Sequence, residues 1–422
     1  MKESFLHLVW QQQLIQNKKI YTTEGEELII HHPGEVNLLQ GPDFSSAMIE
    51  IANQKWAGNI EIHLKSSDWY AHQHQKDTSY SNVILHVVFE HDIEVFDLQS
   101  NSVPTLELST LIKGSALQNY NELMQQSQYW IFCENKIKAF DTFKWQHWME
   151  RLYVERLERK VGEIELIFNK TKQDWEATFF LLLAKSFGGN LNGAIFLKAF
   201  SQVEFIVIRK QIANNKTASL LFGLLGLLKE SSFEDLYCQI LKKRFDDQRQ
   251  KYRLEEFPLP KLNFFGCRPH NFPTIRLAQL IAFYEKHKTV FSKVLGLGEN
   301  LKSYQDFFDI EIDEYWKTHY NLDKVSKKSS KKISKNFLDL LLMNVVIPFL
   351  FLYAKKKGTD ESYLLDLMYQ ISPEKNNIVA KFSALDVKSK SALETQALLT
   401  LKKEYCDKER CAACDLGVHI IA

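Results

Sequence analysis

The sequence predicts an α+β protein in which a small mixed sheet comes first and a larger, mainly helical region follows. Two observations indicate this order. Short segments rich in Val, Ile and Leu, bounded by Gly, Pro, Asn or Ser, follow one another over residues 1–108. Beyond about residue 120, apolar residues instead recur three and four positions apart, which is the helical period. We therefore expect one domain at residues 1–120 and a second at residues 121–422.

The first region begins with an amphipathic segment that predicts a helix near residues 4–16. Three strands are expected next, then a polar segment long enough for a short helix or an ordered loop, then a fourth strand. The predicted strands are 28–32, 47–51, 59–64 and 83–89, and the polar segment is 67–80. Two further alternating runs, 93–98 and 103–108, flank a polar turn and predict a hairpin.

The second region is predicted to be mostly helical, with periodic segments at 145–168, 175–187, 194–212 and 218–228. Its most apolar run, 340–354, contains Asn344 and Pro348 and is shorter than the roughly 20 residues that span a bilayer. We expect a buried helix kinked at Pro348 and no membrane association. The N-terminus lacks the apolar core of a signal peptide, so a cytoplasmic location is expected.

Charge is distributed unevenly along the chain. Residues 1–120 contain 15 acidic and 7 basic residues and no Arg, a net charge of about −8, whereas the remainder carries about +9. Because nucleic-acid affinity comes largely from Lys and Arg, phosphate contacts are expected in the second region. The candidate nucleic-acid-binding residues are Arg268, His270 and Arg276 near a helix opened by Pro273, and Lys327, Lys328 and Lys331 on one face of a predicted helix. The alternatives are an ordinary interhelical turn and a solvated lysine-rich linker.

Chemistry-bearing residues concentrate in the predicted sheet, since eight of the thirteen histidines lie in the first 91 residues. Alternation along a strand would place Glu61, His63 and Lys65 on one face, and Asp43 precedes a neighbouring strand. Two carboxylates can hold Mg²⁺ or Mn²⁺, while His63 or Lys65 handles the water or the developing charge. This pattern predicts metal-assisted phosphodiester cleavage.

Pro42-Asp43 followed by Glu61-Ile62-His63 resembles the motif of the PD-(D/E)XK nuclease superfamily, with His63 where that superfamily usually has Lys. The order helix, three strands, helix or loop, strand also resembles its core, over about the first 100 residues. As a whole, the chain resembles an uncharacterised bacterial family common in Bacteroidota. The segments that carry this second resemblance are residues 41–44, 58–63, 268–273 and the terminal cysteines, and it implies no activity.

His72, His74 and Asp77 follow closely and form H-x-H-x-x-D. Two imidazoles at this spacing can bind zinc or manganese, or can assist beside Glu61. The alternative is a polar surface loop with solvated histidines. His86, in an apolar run, is expected to be an ordinary buried histidine.

Three cysteines near the C-terminus form a second candidate metal site. Cys406, Cys411 and Cys414 have the spacing C-x4-C-x2-C, which is similar to that of zinc knuckles and iron–sulfur loops. Candidates for the fourth ligand are Cys133, Cys238, Cys267 and His419, and Cys267 is favoured because it lies in a Gly-Cys-Arg-Pro turn. The alternative is a set of reduced thiols.

The sequence thus favours a metal-dependent nuclease or related phosphodiesterase acting on nucleic acid. Two alternatives remain open. One is a non-catalytic nucleic-acid-binding or scaffold protein that keeps a degenerate nuclease-like fold. The other is a zinc or iron hydrolase of another substrate class that uses His72, His74 and Asp77.

Overall fold

The structure is a computed structural model that describes residues 1–16, 19–37, 39–230, 232–255 and 258–422. The chain divides into two compact units. Unit 1 comprises residues 1–148, 380–388 and 398–422, and unit 2 comprises residues 149–379 and 389–397. The sheet-containing unit therefore extends past residue 120 and includes the C-terminal cysteine segment.

The described part of the first 124 residues contains seven strands and three α-helices. In chain order these are α1 (Glu3–Gln11), β1 (Ile20–Tyr21), β2 (Glu27–His32), β3 (Glu35–Val36), β4 (Phe44–Ile51), β5 (Gln54–Lys65), α2 (Asp68–Ala71), β6 (Val83–Glu90), β7 (Thr105–Glu107) and α3 (Gly114–Met124). The predicted fold class is confirmed: a mixed sheet precedes a mainly helical region. The four strands predicted at 28–32, 47–51, 59–64 and 83–89 correspond to β2, β4, β5 and β6.

The strands form one mixed sheet with the order β1-β2-β4-β5-β6-β7, and β3 also pairs with β4. The pairs β1–β2, β2–β4, β3–β4 and β4–β5 are antiparallel. Strand β6 runs parallel to β5, with Glu61 opposite His86, and β7 runs parallel to β6. Strand β5 is therefore central and is paired on both sides, which explains why its middle residues are buried.

The apolar core of unit 1 lies between the sheet and helices α1 and α3. Ile60 and Ile62 of β5 and Phe5 and Trp10 of α1 are fully buried in it. This arrangement leaves the Glu61 and His63 face of β5 for polar groups. The predicted hairpin at 93–108 is only partly present: Phe96 bridges Ser102, but the second run forms β7, which pairs with β6.

The remaining elements are mostly helical. They are α4 (Thr142–Lys170), α5 (Trp175–Phe187), α6 (Gly189–Phe200), α7 (Phe205–Ala213), α8 (Thr217–Leu224), α9 (Leu236–Tyr252), α10 (Pro273–His287), α11 (Val290–Val294), α12 (Leu301–Phe308), α13 (Glu314–Lys317), β8 (His319–Asn321), β9 (Lys324–Val325), α14 (Lys335–Leu341), α15 (Ile347–Lys357), α16 (Tyr363–Gln370), α17 (Asn377–Ala384), α18 (Ala392–Thr400) and α19 (Asp415–Ile421). A π-helical turn, Leu342–Val346, joins α14 to α15. Another, Leu401–Cys406, follows α18.

The apolar run at 340–354 is helical, as predicted, and belongs to the continuous helix Lys335–Lys357. By length and composition this helix could cross a membrane, but 83% of its most apolar window is buried within the protein. The bent pair Gly189–Phe200 and Phe205–Ala213 passes the same test only when taken together. The expected single helix at 194–212 is in fact these two helices, which meet at 98°.

The prediction of a helix that contains Lys327, Lys328 and Lys331 was wrong. Lys324 and Val325 form β9, and residues 326–334 have no helical structure. Lys331 is buried rather than solvated: its Nζ donates to the Lys317 carbonyl at 3.1 Å and lies 4.2 Å from the Tyr320 ring centroid. Lys327, Lys328 and Lys331 therefore do not form a stripe on one helix face.

Because Lys160 of α4 is buried, we expect the free energy of unfolding to increase as the pH rises above about 8. Its Nζ donates to Asn344 Oδ1 at 3.0 Å, and burial lowers its pKa from 10.5 to about 8. A lysine with a depressed folded pKa destabilises the fold below that pKa, and the penalty disappears as pH rises from about 8 to 10.5. We expect the free energy of unfolding of Lys160→Met to be about 1–2 kcal/mol higher than that of the wild type at pH 7. This difference should become smaller as the pH rises toward 10.5.

Urea unfolding of both proteins across this pH range measures the difference. Lys170→Met, at the exposed end of the same helix, is the control and should leave the free energy of unfolding unchanged. A stability difference for Lys160→Met that did not vary with pH would contradict the assignment.

Candidate metal centre

The site predicted on β5 forms as a cluster of buried polar side chains. Glu61 and His63 are 5% and 1% exposed, although both carry polar or charged groups. Ile60 and Ile62 occupy the apolar core on the opposite face of the strand. The alternation of β5 therefore directs one carboxylate and one imidazole away from the core and toward each other.

Three imidazoles and one carboxylate converge here. The His63 Nε2 atom lies 3.0 Å from His72 Nδ1. The Glu61 Oε1 atom lies 3.2 Å from His74 Nε2 and 3.5 Å from His63 Nε2. One ligand atom from each of the three histidines falls within 4.8 Å of the others. Since a tetrahedral ion with bonds of about 2.1 Å separates its ligands by about 3.4 Å, the three histidines can surround one cation. Glu61 lies beside two of them, His63 and His74.

The segment between β5 and β6 brings His72 and His74 to the strand. Trp69 of α2 is fully buried and donates from Nε1 to the Phe96 carbonyl at 3.1 Å, which fixes the segment to the body of unit 1. Gln73 has a left-handed backbone with φ of 62°, so the chain reverses between the two histidines. His74 then stacks on Tyr80 with 3.8 Å between ring centroids. His72 remains exposed and forms the open side of the cluster.

His86 of β6 supports the cluster from behind. It is fully buried, and its Nε2 lies 2.8 Å from His63 Nδ1. The sequence identified it only as a buried histidine and gave no indication of this partner. With the shared proton on His63 Nδ1, the Nε2 lone pair of His63 faces His72, His74 and Glu61. Metal-binding histidines are commonly oriented by such a hydrogen bond from their second nitrogen.

The pKa values at the site favour neutral imidazole donors. Desolvation by burial lowers the pKa of His63 to about 4 and holds that of His86 well below its usual value. Desolvation also raises the pKa of Glu61, although His74 opposes this change. A neutral imidazole is the form that binds a metal ion, so His63 is in the required state at neutral pH.

Asp43 is adjacent to Glu61, as predicted, and both carboxylates are fixed by the backbone. The Asp43 N–H donates to Glu61 Oε2 at 3.1 Å, and the Ile62 N–H donates to Asp43 Oδ2 at 2.9 Å. Asp43 is only partly buried and faces α1, where His7 Nε2 lies 3.4 Å from Asp43 Oδ2 and 3.6 Å from Glu3 Oε1. Burial lowers the pKa of His7, but the two carboxylates outweigh it and raise the value to about 9. His7 is therefore a cation at neutral pH.

Glu3, His7 and Asp43 form a second group of possible ligands, and sequence reasoning did not identify the first two. An i, i+4 pair on an amphipathic helix is the signal that could have found them, because α1 places both side chains on one face.

Two other predicted residues lie elsewhere. Lys65 is exposed and its Nζ pairs with Glu90 at 3.3 Å across the β5–β6 register. Asp77 accepts a hydrogen bond from the Ser79 N–H and begins a 3-10 turn. Asp77 is not in the groups of described His, Cys, Asp and Glu donors whose ligand atoms lie within 4.8 Å of one another.

The predicted phosphate-binding residues lie in unit 2 and are of two kinds. Arg268, His270, Lys327 and Lys328 are exposed. Arg276 instead donates to Gln279 and Asn271 and stacks 3.5 Å from the Phe337 ring centroid. Pro273 does open α10, as predicted. Arg276 is thus largely used in packing.

One of the four cysteines expected to form a metal site differs in the structure. Cys406, Cys411 and Cys414 belong to unit 1, where Cys133 lines the same cavity. Cys267 belongs to unit 2, and its thiol lies 3.6 Å from the Asn263 carbonyl oxygen. The structure therefore places Cys133, and not the favoured Cys267, beside the C-terminal three.

Comparison with known proteins gives one finding. A family model described as "Protein of unknown function (DUF2851)" matches residues 3–377. Searches of curated proteins and of solved structures give no match. The description attributes no activity to the family.

Proposed function

The chain belongs to this DUF2851 family of unknown function, and we propose that it is a metal-dependent phosphodiesterase whose cation binds His63, His72, His74 and Glu61. The observation that carries the proposal is that one nitrogen from each of the three histidines lies within 4.8 Å of the others. Glu61 Oε1 lies 3.2 Å from His74 Nε2 and 3.5 Å from His63 Nε2. Burying imidazoles and a carboxylate beside one another is costly, and among the described residues His74 Nε2 has only the ion-pair contact with Glu61 at 3.2 Å. A bound cation would offset that cost.

The donor set favours a first-row transition metal. Imidazole nitrogens suit zinc, iron and manganese sites, whereas Mg²⁺ prefers carboxylate, carbonyl and water oxygens. Of the ions expected from the sequence, Mn²⁺ fits this site better than Mg²⁺, and Zn²⁺ is the other candidate. A bound cation would supply charge stabilisation to a phosphodiester undergoing attack by water.

The substrate class rests on the environment of the cluster. The antiparallel hairpin β4–β5, the short helix α2 and the parallel strand β6 have the order of the nuclease-like core that the sequence resembles. Asp43 and Glu61 occupy the two acidic positions of that motif and contact each other through the backbone. We therefore assign nucleic-acid phosphodiesters as the substrate.

His63 takes the place of the motif lysine, but we assign it the role of a ligand because it is buried and neutral. The cation that the motif requires is supplied instead by His7 of α1, which is protonated beside Asp43. His7 is the residue placed to stabilise negative charge developing on the phosphate. His86 acts as a positioning residue because it contacts only His63 within this set of histidines.

The proposal is tested by incubating the purified full chain with labelled single- and double-stranded DNA and RNA, in Mn²⁺, Zn²⁺, Mg²⁺ or EDTA. We expect cleavage with Mn²⁺ or Zn²⁺ that EDTA stops and that Glu61→Gln abolishes. His31→Gln is the control, because His31 of β2 pairs with Glu50 of β4 and is not in the cluster. Binding without cleavage would favour a non-catalytic nucleic-acid-binding protein. A protein that neither cleaves nor binds any of these nucleic acids would contradict the proposed substrate.

A further inference from the structure

Four of the six cysteines surround one small cavity in unit 1. Cys133, Cys406, Cys411 and Cys414 line it together with apolar side chains that include Leu123, Ile131, Leu401 and Leu416. Cys414 is buried and the other three are partly buried. The segment containing Cys133 is about 270 residues from the other three in sequence, so the fold, and not local spacing, completes the set.

The C-terminal chain is shaped to present three of these thiols inward. Cys406 ends a π-helical turn, Cys411 begins a 3-10 turn, and Cys414 directly precedes α19. The close approach of α19 to the Cys411 turn requires glycine at 417: a Cβ there would lie 2.0 Å from the Cys411 carbonyl oxygen. Helix α19 also packs against α3, which fixes the turn against the core.

Hydrogen-bond donors are directed at one of the sulfurs. The backbone N–H groups of Leu416 and Gly417 and the side chain of Trp148 act on the Cys414 thiol and lower its pKa. Burial acts in the opposite direction and raises the pKa of Cys414 to about 11. Burial and neighbouring thiols raise the pKa of Cys133 and Cys411 to about 12. N–H donors stabilise a thiolate, and in this apolar cavity a thiolate also requires a cation.

We propose that Cys133, Cys406, Cys411 and Cys414 are the four thiolate ligands of an iron–sulfur cluster. Four cysteine thiolates, N–H···S hydrogen bonds and an apolar enclosure are the features that such clusters share. Binding would release the four thiol protons and would fix residues 398–422 to the body of unit 1 through Cys133. The assignment is independent of the phosphodiesterase proposal, because the two sites share no residue.

The spacing of the sulfurs favours a cluster over a single zinc ion. A tetrahedral zinc ion with Zn–S bonds of about 2.3 Å holds its sulfurs about 3.8 Å apart. Among the residues that the structure describes, the groups of three donors that fall within 4.8 Å of one another include none of these four cysteines. The sulfurs are therefore spread more widely than one zinc ion requires.

The test is elemental analysis of the full chain purified without oxygen. We expect iron and acid-labile sulfide in equal amounts, with visible absorption that bleaches on reduction by dithionite. Cys133→Ser should lose the iron, the sulfide and the absorption, whereas Cys267→Ser should keep all three. Circular dichroism of both variants distinguishes loss of the cluster from failure to fold, and Cys411→Ser provides a second variant if Cys133→Ser does not fold.

Zinc without sulfide would overturn the cluster assignment. Absence of both metals, or equal loss of iron in Cys133→Ser and Cys267→Ser when both are folded, would overturn the site itself. Cleavage of nucleic acid is not a readout in this experiment, so its outcome does not depend on the proposed enzymatic activity.

Discussion

Replacement of His72 by alanine is expected to weaken binding of Mn²⁺ or Zn²⁺ at the candidate metal centre by on the order of 100-fold or more. His72 Nδ1 lies 3.0 Å from His63 Nε2 and supplies one of the three imidazole donors. Because His72 is exposed, its truncation removes a ligand without opening a cavity, and the free energy of unfolding without metal should be unchanged. Isothermal titration of the metal-free protein measures the affinity.

The titration uses Mn²⁺ in a Cys133→Ser background, so that the cysteine site does not contribute. His31→Ala is the matched control, since His31 is likewise an exposed histidine of unit 1 and pairs with Glu50. We expect His31→Ala to leave the affinity unchanged. Equal affinities for His72→Ala and the parent would show that His72 is not a ligand.

Phe349→Ala is expected to lower the free energy of unfolding by about 3–5 kcal/mol. Phe349 of α15 is fully buried and contacts three aromatic rings of unit 2. Its ring centroid lies 5.1 Å from Phe179, 5.0 Å from Phe291 and 5.5 Å from Trp175. Removing the ring leaves a cavity among rigid neighbours that cannot close around it. Chemical denaturation in the absence of detergent provides the measurement.

Phe265→Ala is the control, because Phe265 is 98% exposed and its loss should change the free energy of unfolding by less than about 0.5 kcal/mol. The prediction also distinguishes two roles for the helix Lys335–Lys357, which is long and apolar enough to cross a membrane. If that helix left the protein core for a bilayer, Phe349→Ala would have no more effect on stability in solution than the control.

Strands β2, β4, β5 and β6 were predictable because each contains a short apolar segment bounded by turn residues, whereas β1 and β3 were not predicted. The alternation of β5 places Glu61 and His63 on one face, and the structure brings Asp43 beside them. These are local properties of the sequence. The position of His72 and His74 was not predictable in the same way, since it depends on the burial of Trp69 and on the reversal at Gln73.

Contacts between residues that are far apart in the sequence were not predicted, or were assigned to the wrong residue. His7 reaches Asp43 only because α1 packs against the sheet, and no local pattern records that contact. Cys267 was favoured as the fourth cysteine because it lies in a tight turn, whereas Cys133 is the residue that lines the cavity. The helical spacing of the lysines predicted a shared, exposed face, and this prediction was wrong. Lys331 is instead buried by its contacts with Lys317 and Tyr320.

We propose that His63, His72, His74 and Glu61 bind one cation. The most direct measurement is a crystal structure with Mn²⁺ and an anomalous difference map at the manganese edge. We predict a peak about 2.1 Å from His63 Nε2 and His72 Nδ1, with His74 and Glu61 completing the ligands. A map with no peak there, or with a peak only between Glu3, His7 and Asp43, would contradict the account.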